Sequence, residues 1–125
     1  MLTNEEIGDS SWREELDRKF GWMGGEHGLW FECLGGWRFI LKDLLERIDA
    51  TLTDPEDREA FRISQVKEKM AGLRVGHNGD DHIDRIVSAA EAASHITCDV
   101  CAGRGRVQGK GWLSTRCVAH EEWRG

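Results

Sequence analysis

The chain has 125 residues and a mass of 14.2 kDa, and 17 Lys+Arg against 23 Asp+Glu give a formal net charge of −6. That length accommodates one domain rather than two independent ones, and 39% hydrophobic with 32% charged residues describes a thin core that a metal staple would help. No apolar run approaches the roughly 20 residues of a membrane span. The acidic start MLTNEEIGDSSW lacks a secretory pattern, and a pI ≈ 5.3 disfavours a general nucleic-acid binder, so a cytoplasmic protein is expected.

Ser11 followed by Glu14 fits a capping box and predicts a short helix from about Trp12 to Phe20, with Trp12, Leu16 and Phe20 on one face. Gly21, Gly24, Gly25 and Gly28 then interrupt it. Leu29–Cys33 reads as a short strand ahead of Gly35-Gly36. From Trp37 the spacing turns helical, and Trp37, Ile40, Leu41, Leu44, Leu45, Ile48 and Leu52 form one broad apolar face. Asp54-Pro55 starts a further turn with Asp54 as its N-cap.

Phe61–Val66 and Leu73–Val75 alternate apolar and polar residues around the charged Lys67–Gly72, which predicts a β-hairpin; Glu68–Leu73 also has helical character. Asn78-Gly79 marks a turn. Asp80 or Asp81 caps a second helix whose Ile83, Ile86, Val87, Ala90 and Ala93 make a small-residue face leading to Cys98. The expected fold is a single α+β domain: a short antiparallel sheet or hairpin, two main helices and a C-terminal zinc knuckle. Residues 1–28 supply an N-terminal helix and Gly-rich loop, 29–96 the α+β core and 97–125 a zinc-binding subdomain.

Cys98-Asp-Val-Cys101 is followed, after fifteen residues, by Cys117-Val-Ala-His120. Two such pairs separated by a loop of this length match a four-ligand zinc site. A C-x-x-C turn aims two sulfurs at one point, and Gly103 and Gly105 behind it allow backbone amides to approach them. The second pair brings a thiolate and an imidazole together at the start of a short C-terminal helix. Zn(Cys)3(His) carries a net charge of about −1, which Arg104, Arg106 and Arg116 would offset. All four positions come from protein, so the expected cofactor is one structural zinc per chain. A redox C-x-x-C would sit in a βαβ unit, and an iron–sulfur site more often takes four cysteines.

The remaining candidates are weaker. Cys33 reads as a buried strand thiol. His77 and His82, with Asp80 and Asp81, resemble fragments of a nuclease site, yet a capped helix start with solvated imidazoles accounts for them. Glu5, Glu6, Glu14, Glu15 and Asp17 read as a solvated face, and no catalytic constellation emerges. Six tryptophans stand beside no tyrosine. Trp30 and Trp37 fall on apolar faces, Trp112 is expected against the zinc knuckle, and Trp22 and Trp123 are candidate interaction anchors.

Charge divides along the chain. Residues 1–60 hold 15 acids and 7 bases, whereas residues 61–125 hold 8 acids and 10 bases. Arg104, Arg106, Lys110 and Arg116 make an acid-free basic patch between Ala102 and His120, the other candidate interaction surface.

Gly36-Trp37 before an apolar helix, the run QVKEKMAGLR at 65–74, and C-x-x-C followed by Gly111-Trp112-x-x-Thr115-x-Cys117-x-x-His120 resemble a family of small, uncharacterised bacterial and phage-borne zinc-binding proteins. The resemblance covers about residues 30–122; the family pattern has an aromatic at Met70 and a Gly at Ala71. It implies a phage or mobile-element setting without an established activity. By analogy with small acidic phage proteins, it implies an anti-CRISPR-like inhibitor that binds a host defence complex in the host cytoplasm. The expected function is therefore a non-enzymatic interaction protein with a protein partner and no membrane. A nucleic-acid-binding zinc module using the basic patch is the alternative, and a metal-dependent nuclease around His77 and His82 comes third.

Overall fold

Thr3 organises the first turn of the chain. Its hydroxyl accepts from the Glu6 N–H at 3.2 Å while the Glu6 carboxylate accepts from the Thr3 N–H at 3.0 Å, opening helix α1 (Asn4–Gly8). The computed structural model describes residues Met1–Gly125. The capping box expected at Ser11 and Glu14 does not form. Helix α2 (Ser11–Phe20) starts instead where Asp9 accepts from the Ser11 N–H at 2.8 Å, and it buries Trp12, Leu16 and Phe20 as their spacing predicts.

The glycine-rich stretch coils into 3₁₀ turns over Gly21–His27, broken at Gly25 where φ is 74°. Asp17 holds its exit by accepting from the Leu29 N–H at 2.7 Å, so this exposed carboxylate also has a structural role. The strand expected over Leu29–Cys33 shortens to β1 (Phe31–Glu32). Phe31 takes the inward position at 2% exposure, and strand alternation turns Trp30 outward at 71% exposure. Trp30 is therefore not a core residue.

Helix α3 (Arg38–Thr51) buries Leu41, Leu44, Leu45 and Ile48, with Trp37 fully buried just before it. Asp54 caps α4 (Pro55–Ala60), accepting from the Glu56 N–H at 2.8 Å. Because α3 and α4 lie between β1 and β2 (Ile63–Lys69), the connection is a helical crossover, and β1 pairs parallel to β2. Strand β3 (Gly72–His77) pairs antiparallel to β2, giving a mixed sheet in the order β1-β2-β3 rather than a purely antiparallel one. The charged Lys67–Lys69 stays in strand. The turn contracts to Met70-Ala71 at φ 51° and 73°, the left-handed pair of a two-residue hairpin.

Asp80 caps α5 (Asp81–Ser94), accepting from the Ile83 N–H at 3.0 Å, and α5 packs on α3 and β3. Nineteen buried residues form the main core between sheet and helices. Side chains close both sheet edges. Ser94 Oγ accepts from the Leu73 N–H at 2.9 Å and Glu91 from the Val75 N–H at 3.1 Å, while Arg13 donates to the carbonyls of Phe31 and Cys33 on β1. A second hairpin, β4 (Arg106–Gln108) and β5 (Ser114–Arg116), carries the C-terminal part and is tied to the first by the Thr115 hydroxyl donating to the Ala71 carbonyl at 2.7 Å. The fold is an α+β single domain in which no helix is long and apolar enough to cross a membrane.

Candidate metal centre

After α5 the chain reverses through a bridge between Thr97 and Arg104. The Cys98 N–H donates to the Gly103 carbonyl at 2.7 Å and the Ala102 N–H to the Cys98 carbonyl at 3.1 Å, with Ala102 at φ 68°. This tight loop turns the Cys98 and Cys101 sulfurs inward, both residues being fully buried. The Gly103 N–H points at Cys101 Sγ from 3.4 Å, as expected. Gly105 does not do so: its N–H donates to the Ile96 carbonyl at 2.9 Å. A Cβ at Gly105 would lie 2.9 Å from the Cys98 nitrogen, so glycine serves close packing there.

Strand β5 delivers Cys117 from the opposite side, and a 3₁₀ turn over Val118–His120 folds the imidazole back. The three Sγ atoms and the His120 ring nitrogen all lie within 4.8 Å of one another. Tetrahedral ligands at zinc-like bond lengths would be about 3.8 Å apart for two sulfurs and about 3.5 Å for sulfur and nitrogen. Cys101 Sγ and Cys117 Sγ are 3.7 Å apart, and His120 Nδ1 lies 3.2 Å from Cys117 Sγ and 4.0 Å from Cys98 Sγ. These three edges are close to those of a tetrahedral site, and the four atoms lie close enough together to hold a metal ion. Nδ1 is the imidazole atom turned toward it.

Metal binding requires thiolates. Burial pushes the Cys101 thiol up to about 11, the Gly103 amide working against it. At Cys117 burial also opposes ionisation, but hydrogen bonds from the neighbouring thiols and the His120 and Ala119 amides outweigh it and lower the pKa. Cys98 and Cys101 are buried on the inner side of the centre, and Cys117 and His120 are half-buried on its outer side.

The knuckle is fastened to the helical core by three long-range bonds. The Gly36 N–H donates to the Asp99 carbonyl at 2.8 Å, Trp37 Nε1 to the Thr97 carbonyl at 2.9 Å, and the Leu2 N–H to the Cys101 carbonyl at 2.7 Å. Asp99 is buried, and burial raises its pKa while Arg116 at 3.1 Å opposes the shift.

No protein-family model matches this chain, and neither the curated proteins nor the solved structures yield a match. The centre is therefore read from its own geometry.

Arg116 is committed to Asp99 and to the Trp123 carbonyl at 2.7 Å, and Arg106 meets Glu121 at 3.4 Å. Neither guanidinium is directed at a sulfur. Arg104 and Lys110 are exposed without an acidic partner. Trp123, half-buried, covers the metal knuckle beneath the Arg116 guanidinium. That is the place expected for Trp112, which stands 80% exposed between the left-handed Gly109 and Gly111 and Ser114. Trp123 lies three residues beyond His120, about one turn, and that spacing was the signal for its place. Trp22 is half-buried under Arg58 at 4.2 Å. His77 is not solvated: Nε2 sits 3.1 Å from Asp84 and Nδ1 accepts from the Gly79 N–H at 3.0 Å, while His82 is exposed. His77, His82, Asp80 and Asp81 do not converge as ligands. Cys33 is buried, and burial pushes its thiol up to about 12.

Proposed function

We propose that the centre holds one zinc ion as a structural staple and that the chain works as a non-enzymatic interaction protein. One observation carries this reading: four protein donors, three sulfurs and one imidazole nitrogen, lie within 4.8 Å of one another. That donor set suits zinc, and a metal enclosed in this way has no position left for water or substrate. Bound there, zinc would neutralise two thiolate charges and join the β4–β5 hairpin to the knuckle, supplying folding free energy to a chain with a small second core. We also propose the family membership suggested by the sequence, with a phage or mobile-element origin and an anti-CRISPR-like action on a defence complex in the host cytoplasm. Support comes from the acidic front half and from large aromatic rings left in the open, both suited to a protein contact.

The test is capture of a host complex from bacterial lysate by the tagged, zinc-loaded chain, repeated after chelation. The reading expects stoichiometric recovery that chelation abolishes; no recovery under any salt condition would contradict it. A second reading, a nucleic-acid module, draws on Arg104 and Lys110, which are exposed and unpaired. Duplex binding that persists at physiological salt and disappears in R104E/R106E would favour it.

A further inference from the structure

Trp30 and Trp112 are 71% and 80% exposed, and both line one groove of about 690 Å³ between the start of α2, β1 and the β4–β5 hairpin. The half-buried Leu34 adds apolar surface to the groove. Tryptophans left in water around a concavity mark a contact surface.

The charges of the groove say what fits it. Four carboxylates and two guanidinium groups line it. Asp99 and Arg116 satisfy each other, and Arg13 is engaged with the β1 carbonyls and the Trp12 ring at 4.6 Å. Glu14, Glu32 and Glu68 have no cationic partner. A phosphate backbone would be repelled here, whereas a cation is drawn in and finds indole faces, the best aromatic surface for it. Arg13 also occupies the free edge of β1, so an occupant is read through its side chains and not by adding a strand.

The geometry points to a docking groove for an arginine- or lysine-bearing segment of a protein partner. This rests on the interaction-protein reading above and names the chemistry of its partner. The β4–β5 hairpin contributes one wall: Trp112 lies in its loop, and β5 runs directly into the candidate ligand Cys117.

Acetylated hexa-arginine amide is a suitable probe for the full zinc-loaded chain, with binding followed by tryptophan fluorescence and calorimetry. W30A and W112A should each weaken binding about tenfold. E14Q/E32Q should weaken it about fivefold. E56Q/E59Q, on α4 outside the groove, should leave it unchanged. Both tryptophans are exposed, so melting curves of the variants should overlay that of the wild type. Equal binding by W30A/W112A and wild type would reduce the effect to general charge attraction and overturn the proposal. So would tighter binding of an oligothymidylate strand through the same tryptophans, which would assign the groove to nucleic acid. If hexa-arginine fails while a host complex is still captured, only the partner chemistry falls; if no complex is captured, the interaction reading falls with it.

Discussion

Replacing Gly36 by alanine places a methyl group against the Cys98 carbonyl oxygen and the Asp99 carbonyl, well inside van der Waals contact. These are backbone atoms of the metal knuckle, and they cannot rotate away as a side chain would. The knuckle must lift from the Gly35–Trp37 turn that precedes α3, giving up the Gly36 N–H bond to Asp99 and loading the neighbouring bond from Trp37 to Thr97. Overpacking a tight site costs about 1–3 kcal/mol, and a buried donor left unpaired costs about 1–3 kcal/mol more. Gly36→Ala should therefore lose roughly 2–6 kcal/mol, lowering the thermal midpoint by roughly 8–23 °C. Zinc affinity, measured by competition with a chromophoric chelator, should fall at least about tenfold. Gly8→Ala is the control, because a Cβ at Gly8 meets nothing within 4 Å. Melting of Gly36→Ala within about 3 °C of that control would refute the docking of the knuckle on the Gly35–Trp37 turn.

Ser94→Ala should cost about 2 kcal/mol, because the buried Leu73 N–H loses its acceptor; a loss below about 0.5 kcal/mol would contradict the edge-capping role. Met70→Asn should stabilise the chain by about 0.5–1 kcal/mol in urea unfolding, since Met70 is exposed at φ 51° and asparagine tolerates that region. A neutral result would show that the hairpin stores no strain there. Cys33 gives a pH test. The native state keeps a thiol proton up to about 12 that the unfolded chain releases above 9.0, so stability is lost as pH rises through this window, by about 1.4 kcal/mol per unit. The stability advantage of wild type over Cys33→Ala should shrink by about 2 kcal/mol from pH 9 to about pH 10.5. A constant difference would mean that the thiol is not held protonated.

The ligands were legible in the sequence because their geometry is local: Cys98 and Cys101, like Cys117 and His120, meet within one turn of chain. The helical face from Trp37 to Leu52 was legible for the same reason. The direction of β1 was not, since parallel pairing depends on where α3 and α4 return the chain. Strand alternation around Phe31 turns Trp30 outward, although the apolar character of its ring suggests a core position. Trp112 and Trp123 exchanged their expected places because the hairpin loop is aimed by contacts distant in sequence, among them Thr115 on Ala71. Asp17 and Glu6 are solvent-facing, as their spacing suggests, and also accept hydrogen bonds that organise backbone turns, which side-chain periodicity does not reveal.

The central claim is that four protein ligands enclose a single metal ion that holds the C-terminal hairpin to the core. Zinc stoichiometry by native mass spectrometry, read together with unfolding free energy before and after chelation, tests it most directly. One zinc per chain, with a loss of at least about 5 kcal/mol on its removal, is the result expected. A chain that carries no zinc, or that keeps its full stability without it, would contradict the claim.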